Sequence, residues 1–573
     1  MYGCGKLKPL TNGIRTMFHK QKISGIYKES AIPLWLGAII ICATAVVIYQ
    51  PWIYLPWREC SHELLKSESL YAVIAQECSF STPVPTAHHV QQLSEGILFP
   101  AMTSLLHRCT NIAMETSLRT VATIMLLLTA ALAGVSASTR NTRAGLVAAA
   151  ITISSVIAID KAAEGYPTTT NAFLLLAAQL TFFHFGIRKA NWNLAWLFSA
   201  SLILLAFFSG GFRMLIYFVF PMFFFRRPLS VKSKFRKPGF IIAVALLILA
   251  VSGYGLFFSI STGKGILNEL LDSGFQTSDY WKNVLQFPFM LPILLLPWSI
   301  ITWLPFCVAL QTIDPTPIFN RYLRTLTLST LLLLWLMPSQ DSKELLYLIG
   351  PLALQTGIFY DIGMSRYGNG IRKFMIIGEI LLFALLLIFI ATRYASEDDI
   401  SKVLSISKTL SFRTTMAYQF EFWIVFCCCL ILCILFYNCR RTSPVWLLLL
   451  ILALSAGFFY GFVLSPYQAQ SNEKRILAAE IKSQLKEEKT ERLYKYDIKG
   501  FYGGLFYTGI PIYQLNNITE LPENAETVYL ISTKFPQTFD RKWSNLLPTN
   551  YTYQKEKLYL WKGELKKERD DSI

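Results

Sequence analysis

Basic side chains crowd every second connection of this chain, and this alternation constrains the fold more than any other feature of the sequence. Apolar stretches follow one another from residue 31 to residue 464, with mostly short polar connections between them. The first long connection on the opposite side is rich in acids instead. Cytoplasmic loops of membrane proteins carry such an excess of Lys and Arg. The pattern therefore predicts a polytopic membrane protein with its N-terminus inside the cell.

The composition agrees with a membrane protein and argues against a nucleic-acid partner. The chain is 53% hydrophobic and only 16% charged, whereas soluble domains carry about 25% charged residues. The net charge of +17 could suggest a polyanionic ligand. However, 23 Lys and Arg lie in the segments that are predicted to be inside. The membrane topology alone thus explains the excess of basic over acidic residues, and we expect no nucleic-acid partner.

About thirteen stretches are long and apolar enough to be candidate transmembrane helices, for which roughly 20 residues are needed. The predicted spans are 31–50, 118–138, 144–159, 171–187, 193–208, 212–225, 239–258, 284–310, 323–338, 344–362, 374–392, 420–437 and 444–464. An odd number of spans places the C-terminal tail outside, on the same side as the first long loop.

Three parts follow from this pattern. Residues 1–30 form a basic cytoplasmic segment, residues 31–464 the transmembrane domain with a first outer loop at 51–117, and residues 465–573 an outer domain. The tail combines a Lys- and Glu-rich helical run at 468–492 with short alternating stretches typical of strands. These predicted strands are Leu493–Lys499, Phe506–Gln514, Val528–Lys534 and Lys557–Trp561. The predicted fold class is an all-α membrane protein with a small C-terminal α/β domain.

The first outer loop is predicted to contain two surface helices. Leu64, Tyr71 and Ile74 recur at roughly helical spacing, which predicts an amphipathic helix over Leu64–Phe80 that lies along the membrane surface. A second helix is predicted over Gln91–His107.

Several common catalytic motifs are missing. The sequence has no G-x-x-x-x-G-K-[ST], no G-x-S-x-G, no H-E-x-x-H and no D-x-D. A membrane enzyme without them could still transfer a group from a lipid-linked donor, whose phosphate ester already stores the energy. Such an enzyme needs an acidic base, a basic clamp for the phosphate and a cavity at the membrane face.

The candidate acids and clamps lie near the outer ends of the predicted spans. Ionisable groups at membrane depth are functional by default, although Lys and Arg at span ends also extend harmlessly to the interface. Glutamates on a surface helix can equally be solvated. The candidate catalytic acids are Glu68, Asp160 and Glu164, and the candidate clamps are Arg58, Arg213 and Lys343.

The histidines give little support for a metal site. His62, His88, His89 and His107 share the first outer loop, but no pair has the i, i+4 spacing of a strong metal motif. The sequence therefore assigns no metal ligand, and it leaves the binding of a divalent ion undecided.

Four segments and the tail together resemble the GT-C class of membrane glycosyltransferases, in particular the branch with the aminoarabinose transferases of lipid A and the protein mannosyltransferases. The segment at 67–77 resembles that branch's first-loop motif, and Leu204–Phe220 is similar to its hairpin. Phe287–Trp298 resembles its Leu-Pro-Trp span, and 342–351 its Ser-x-x-Lys…Tyr segment. Each motif is loose, but their order and spacing cover most of the chain.

The resemblance implies transfer of a sugar from a polyprenyl-phosphate carrier to a lipid, glycan or protein acceptor at the periplasmic face of a bacterial inner membrane. It implies that the first-loop carboxylate of Glu68 activates the acceptor or organises the site. It also implies that basic residues hold the donor phosphate and that Tyr71 and Tyr347 belong to the substrate-binding surface.

The chain departs from the family pattern at two acids. Ser67 stands where the family has the Asp of an Asp-Glu pair, and Asn171 lies where the family often has a second acid. Asp160 or Glu164 could supply the missing carboxylate. Two other functions stay open: a transporter or flippase of lipid-linked sugars, and a catalytically diverged scaffold of the same fold.

Overall fold

The computed structural model is mostly helical, with one sheet of five strands near the C-terminus. It describes residues 32–53, 64, 68–78, 85–91, 96–162, 164–225, 229, 231–262, 280–314, 316–336, 342–394, 419–440, 442–459, 473–487, 492–498, 500–515, 517–522, 525–536, 540–547, 552–553 and 556–565.

The helices are numbered here in chain order. They are α1 Leu34–Ile53, α2 Glu68–Glu77, α3 Leu98–Thr110, α4 Met114–Ser138, α5 Thr142–Ser154, α6 Val156–Lys161, α7 Thr168–Phe182, α8 Trp192–Gly210, α9 Arg213–Phe223, α10 Pro238–Thr262, α11 Tyr280–Leu294, α12 Ser299–Thr302, α13 Val308–Gln311, α14 Pro317–Leu336, α15 Leu346–Tyr394, α16 Gln419–Cys439, α17 Val445–Phe459, α18 Glu473–Glu487 and α19 Tyr502–Phe506. A π-helical turn, Phe183–Arg188, extends α7, and a 3₁₀ turn, Ser342–Leu345, precedes α15.

Several of these helices are long and apolar enough to cross a bilayer. Within the described residues, five meet that test by themselves, and a bent pair would make a sixth. Shorter apolar helices, such as Thr142–Ser154 and Arg213–Phe223, accompany them. The chain is therefore an integral membrane protein, while the predicted count of thirteen spans stays unconfirmed.

The structure corrects two predicted spans. The span predicted over 284–310 is broken, because Tyr280–Leu294 and Ser299–Phe306 meet at a bend of 107°. Pro297 lies in the break, where the missing N–H and the ring of a proline stop a helix. The connection predicted between the spans 344–362 and 374–392 is wrong, since residues 363–373 continue α15 without a break. The spans 344–362 and 374–392 thus belong to one helix.

Small residues bring the central helices together. A Cβ atom added to Gly145 of α5 would lie 2.7 Å from the carbonyl oxygen of Gly134 in α4, and one added to Gly357 of α15 would lie 2.5 Å from the carbonyl oxygen of Ala144. Close backbone approach of this kind replaces the hydrophobic effect as the source of helix association in lipid. The main buried core lies among these helices and those that pack on them.

The strands of the C-terminal sheet are β3 Leu493–Tyr496, β4 Ile512–Gln514, β5 Thr527–Ser532, β6 Arg541–Asn545 and β9 Tyr559–Leu565. Their order in the sheet is β4-β3-β5-β9-β6, and β7 Thr552–Tyr553 and β8 Glu556–Lys557 form a separate hairpin. Strand β3 pairs in parallel with both β4 and β5, whereas β9 runs antiparallel to β5 and β6. Leu477, Ile481 and Leu485 of α18 join a buried cluster with residues of these strands. The small α/β region predicted from the alternating pattern is therefore present.

The first-loop helix is shorter and more buried than the sequence predicts. Helix α2 begins at Glu68, and its residues pack against α3, α4 and α19. It therefore packs against the C-terminal region as well as the neighbouring helices, while its predicted position along the membrane surface stays a prediction. The second predicted helix, Gln91–His107, begins only at Leu98, because Val90–Gln91 is strand β2 of a hairpin with β1, Thr86–Ala87.

Candidate active site

Glu68 is held in a buried ion pair at the start of α2. Arg119 of α4 donates from Nε to Oε1 at 2.8 Å and from a terminal nitrogen to Oε2 at 3.0 Å. Both side chains are almost completely buried. Two parallel N–H···O bonds fix the geometry of a carboxylate more firmly than a single contact does. Glu68 is thus an oriented negative charge and not a solvated surface residue.

A third hydrogen bond ties Glu68 to the loop before α7. The backbone N–H of Gly165 donates to Oε1 at 3.0 Å. A Cβ atom at residue 165 would lie 3.1 Å from that oxygen and 2.1 Å from a methyl group of Leu118, so only glycine allows this approach. The contact brings the loop that carries Glu164 against the first-loop helix.

The other two candidate acids share one lysine. The Nζ atom of Lys161 lies 2.9 Å from Oε1 of Glu164 and 3.3 Å from Oδ2 of Asp160. Glu164 is only 3% exposed, whereas about a quarter of the Asp160 and Lys161 side chains is accessible. Burial raises the pKa of Glu164 to about 7, although the charges of Lys161 and Lys343 oppose the shift and Glu68 adds to it. A carboxyl group with this pKa can both lose and accept a proton near neutral pH.

Lys343 lies beside this group on the turn before α15. Its Nζ atom is 3.3 Å from the centroid of the Tyr166 ring, within the range of a cation–π contact. Tyr166 follows Gly165 directly, so two consecutive residues connect Lys343 to Glu68. The ring of Tyr71 meets Tyr166 edge-on at 6.0 Å between centroids. We call Glu68, Arg119, Asp160, Lys161, Glu164, Tyr166 and Lys343 the acid cluster.

Arg213 and Tyr347 belong to a second, adjoining group. Arg213 Nη1 lies 2.6 Å from Oε1 of Glu344, and the Tyr217 hydroxyl donates to the other oxygen of that carboxylate at 3.2 Å. The rings of Tyr217 and Tyr347 meet at 5.1 Å between centroids. Because Glu344 follows Lys343 in sequence, the two groups are neighbours. We call Arg213, Tyr217, Glu344 and Tyr347 the arginine cluster.

Uncharged polar groups lie between the clusters, at the beginning of α7. Within the described residues, buried side-chain oxygens of Thr168, Thr169, Thr170 and Asn171 there have no hydrogen-bond partner, and the hydroxyl of Ser209 near the end of α8 has none either. Asn171 is hydrogen-bonded through its side chain to Tyr347. A Cβ atom at Gly210 would lie 2.2 Å from the Asn171 amide nitrogen, so the α8–α9 hairpin can approach only through glycine.

The described residues contain no ready metal site. Among them, no three His, Cys, Asp or Glu side chains come close enough to hold an ion. Divalent ions such as Mg²⁺ and Ca²⁺ need several oxygen ligands, whereas Glu68, Asp160 and Glu164 each contact Arg119 or Lys161. The sequence left the binding of a divalent ion undecided, and the described residues offer no set of ligands for one.

Known structures show which architecture this is. ArnT from Cupriavidus metallidurans bound to undecaprenyl phosphate superposes with a TM-score of 0.62 at 14% identity, over 87% of this chain and 93% of that chain. Its apo state gives 0.63 at 13% identity, over 87% and 92%. The fold is that of the GT-C membrane glycosyltransferases.

A third GT-C structure, the oligosaccharyltransferase from Archaeoglobus fulgidus, superposes with a TM-score of 0.41 at 11% identity, over 85% of this chain and 64% of that chain. No protein-family model matches the sequence. No curated protein matches it by sequence either.

Within this GT-C fold, the structure places most of the predicted site residues close together. Glu68, Asp160, Glu164 and Lys343 fall in the acid cluster, Tyr71 contacts its edge, and Arg213 and Tyr347 fall in the arginine cluster. Arg58 lies outside the described residues. The roles of these residues stay predictions.

The sequence prediction missed the partners of the acids. Arg119 lies one residue inside the predicted span 118–138, and an arginine at membrane depth should have marked it as functional. Lys161 and Glu344 each directly follow a predicted site residue, Asp160 and Lys343. Gly165 and Tyr166 gave no comparable signal, because their contribution depends on packing between distant segments.

Proposed function

We propose that this protein transfers a sugar from a polyprenyl-phosphate-linked donor to an acceptor on the periplasmic face of a bacterial inner membrane. The observation that carries the proposal is Glu164, a buried carboxyl group with a pKa of about 7, set beside two lysines in a GT-C fold. One structure of this fold, ArnT from Cupriavidus metallidurans, was crystallised with undecaprenyl phosphate bound. Donors of that class supply both the lipid anchor and the leaving group.

Glu164 is the proposed general base. Its carboxylate takes the proton from an acceptor O–H or N–H group as the acceptor atom forms a bond to the anomeric carbon of the sugar. The bond from that carbon to the phosphate oxygen breaks, and its electron pair leaves with the polyprenyl phosphate. A base works best when its pKa lies near the operating pH, and Glu164 satisfies this condition.

Glu68 is better suited to organising the site than to accepting a proton. Its oxygens accept hydrogen bonds from Arg119 and Gly165. Proton uptake would have to break a buried bidentate ion pair, which is strongly unfavourable. We therefore assign Glu68 to fixing the Gly165–Tyr166 segment, and with it the positions of Glu164 and Lys343.

Lys343 and Arg213 are the proposed clamps for the donor phosphate. Arg213 pairs with Glu344, the residue that follows Lys343, and more than half of the Arg213 side chain is exposed. A phosphate oxygen could displace Glu344 from Arg213, because guanidinium pairs with phosphate as it does with carboxylate. The buried hydroxyl groups of Thr168–Thr170 would then face the sugar side of the same region.

The experiment compares a strain that lacks this protein with strains complemented by wild type, Glu164→Gln or Glu564→Gln. Mass spectrometry of lipid A, other glycolipids and glycoproteins should show a sugar that is missing in the deletion strain. Wild type and Glu564→Gln, which changes an exposed glutamate in β9, should restore it, and Glu164→Gln should not. Full restoration by Glu164→Gln would exclude Glu164 as the base. A complete set of sugars in the deletion strain would argue against the transferase itself.

A further inference from the structure

A second group of polar residues lies near the end of α2 opposite Glu68, where the β1–β2 hairpin meets the C-terminal sheet. Lys495 of β3 is completely buried. Within the described residues, its ammonium nitrogen has no hydrogen-bond partner, and it lies 4.7 Å from the centroid of the Tyr502 ring. Burial of an ammonium group without a counter-charge is costly, so this lysine needs an explanation.

The ring of His88 is a second buried polar group without a hydrogen-bond partner in the described part of the chain. It is 2% exposed, and neither ring nitrogen has a hydrogen-bond partner among the described residues. Its ring lies 5.0 Å from the Tyr502 ring, so His88 and Lys495 flank the same tyrosine. Burial and the nearby charge of Lys495 lower the pKa of His88 to about 3. The imidazole is therefore neutral and able to donate one hydrogen bond.

The backbone at His88 is unfavourable for histidine. His88 and His89 form the two-residue turn of the hairpin, with φ of 53° and 59°. Such turns favour Asn and Gly, because both central residues need positive φ. Glu77 compensates by accepting the backbone N–H groups of His88 and His89 at 2.7 and 3.1 Å. Strained residues of this kind cluster at functional sites.

The sheet topology points to the same place. The chain runs from β3 to β4 on one side and then to β5 on the other side of β3. In sheets of parallel strands, ligands bind at the carboxyl ends beside such a switch point. Lys495 is the last residue but one of β3, and the backbone N–H of Gln514, at the end of β4, donates to the His88 carbonyl.

We propose that Lys495 and His88 form a binding site for a small anionic group, a phosphate or a carboxylate, between the first outer loop and the C-terminal sheet. Nearby acids are already engaged: Glu77 holds the hairpin turn, and Asp497 pairs with Lys534 at 2.7 Å. An anion would supply the counter-charge for Lys495 and accept a hydrogen bond from His88. Because both side chains are buried, entry of the anion requires a local movement of the structure around them.

The test measures the ³¹P linewidth of inorganic phosphate titrated into the full-length protein in phosphatidylcholine nanodiscs. Wild type should give saturable broadening. Lys495→Met should raise the Kd at least about tenfold, as expected for loss of a hydrogen bond to a charged group. Lys482→Met, which removes an exposed lysine on α18, should leave the Kd unchanged. His88→Asn tolerates the same backbone conformation and should also weaken binding.

A second arm identifies the source of the anion. In nanodiscs of phosphatidylglycerol, loss of phosphate binding would identify the lipid headgroup as the occupant, whereas unchanged binding would indicate a soluble anion. Competition by acetate would extend the site to carboxylates. Absence of saturable binding to wild type, or equal Kd values for wild type and Lys495→Met, would overturn the proposal. The proposed transferase activity does not depend on either result.

Discussion

Removal of Lys161 should move the pH dependence of transfer to higher pH. The Nζ atom lies 2.9 Å from the Glu164 carboxylate. At that distance a unit charge contributes about 6 kcal/mol at an effective dielectric constant of ~20, and about 1.4 kcal/mol in water. One pKa unit corresponds to about 1.4 kcal/mol. Because Lys161 is about a quarter exposed, we expect the lower part of this range, a rise of about 1–3 units.

The assay is the pH profile of kcat/KM, which reports the ionisation of the free enzyme. A base must be deprotonated, so wild-type activity should rise with pH through about 7, the pKa of Glu164. In Lys161→Met this rise should be centred at about 8 or above. The matched control is Lys189→Met, an exposed lysine beyond the other end of α7, and its profile should match wild type. A lower rate with an unchanged midpoint would refute the assignment of Glu164 as the base.

Substitutions at three further residues separate the proposed roles. Glu68→Gln should lower kcat by about 10²-fold, because the segment that positions Glu164 is loosened, and it should also weaken donor binding through Lys343; full activity would clear Glu68 of a role in the site. Lys343→Ala should weaken binding of polyprenyl phosphate by the about 1.5–3 kcal/mol of a charge-assisted contact, measured by titration; unchanged affinity would remove it from the clamp. Arg475→Met should lower kcat about tenfold at constant KM, because Arg475 pairs at 2.9 Å with Glu115, one turn before Arg119. Arg475→Lys should recover most of that loss, and activity that stays high in both variants would show that the contact is dispensable.

The local sequence pattern was sufficient to predict whether most elements are helices or strands, but not where they begin and end. The alternating stretches Leu493–Lys499, Val528–Lys534 and Lys557–Trp561 each overlap a strand of the observed sheet. The stretch Phe506–Gln514 instead contains the end of α19 before β4, and β6 was not predicted at all. Arg541–Asn545 is mostly polar, so its pairing with β9 depends on the neighbouring strand and not on its own periodicity.

Charge positions near span ends were sufficient to select five of the eight charged members of the two clusters, because ionisable groups are rare in such a sequence. They could not reveal how the charges pair. Glu68 and Arg119 are 51 residues apart, and Arg213 and Glu344 are 131 residues apart. Such pairs depend on the way the helices pack, which no short-range pattern encodes. The predicted connection at 363–373 was wrong because its three basic residues fitted the alternation of charge between spans, but α15 continues through them.

The contacts of α2 connect the C-terminal region to the proposed chemistry. The hydroxyl of Tyr507 accepts the backbone N–H of Leu64 at 2.8 Å, and Lys474 donates to the carbonyl of the same residue at 2.6 Å. Leu64 lies just before the helix that begins at Glu68. The C-terminal region therefore lies on the same side of the protein as the first outer loop. It also contacts the chain on both sides of the buried ion pair, since Arg475 reaches Glu115 on α4. A domain that only covered the membrane face would not need polar contacts at both positions, so we infer that it helps to hold Glu68 against Arg119.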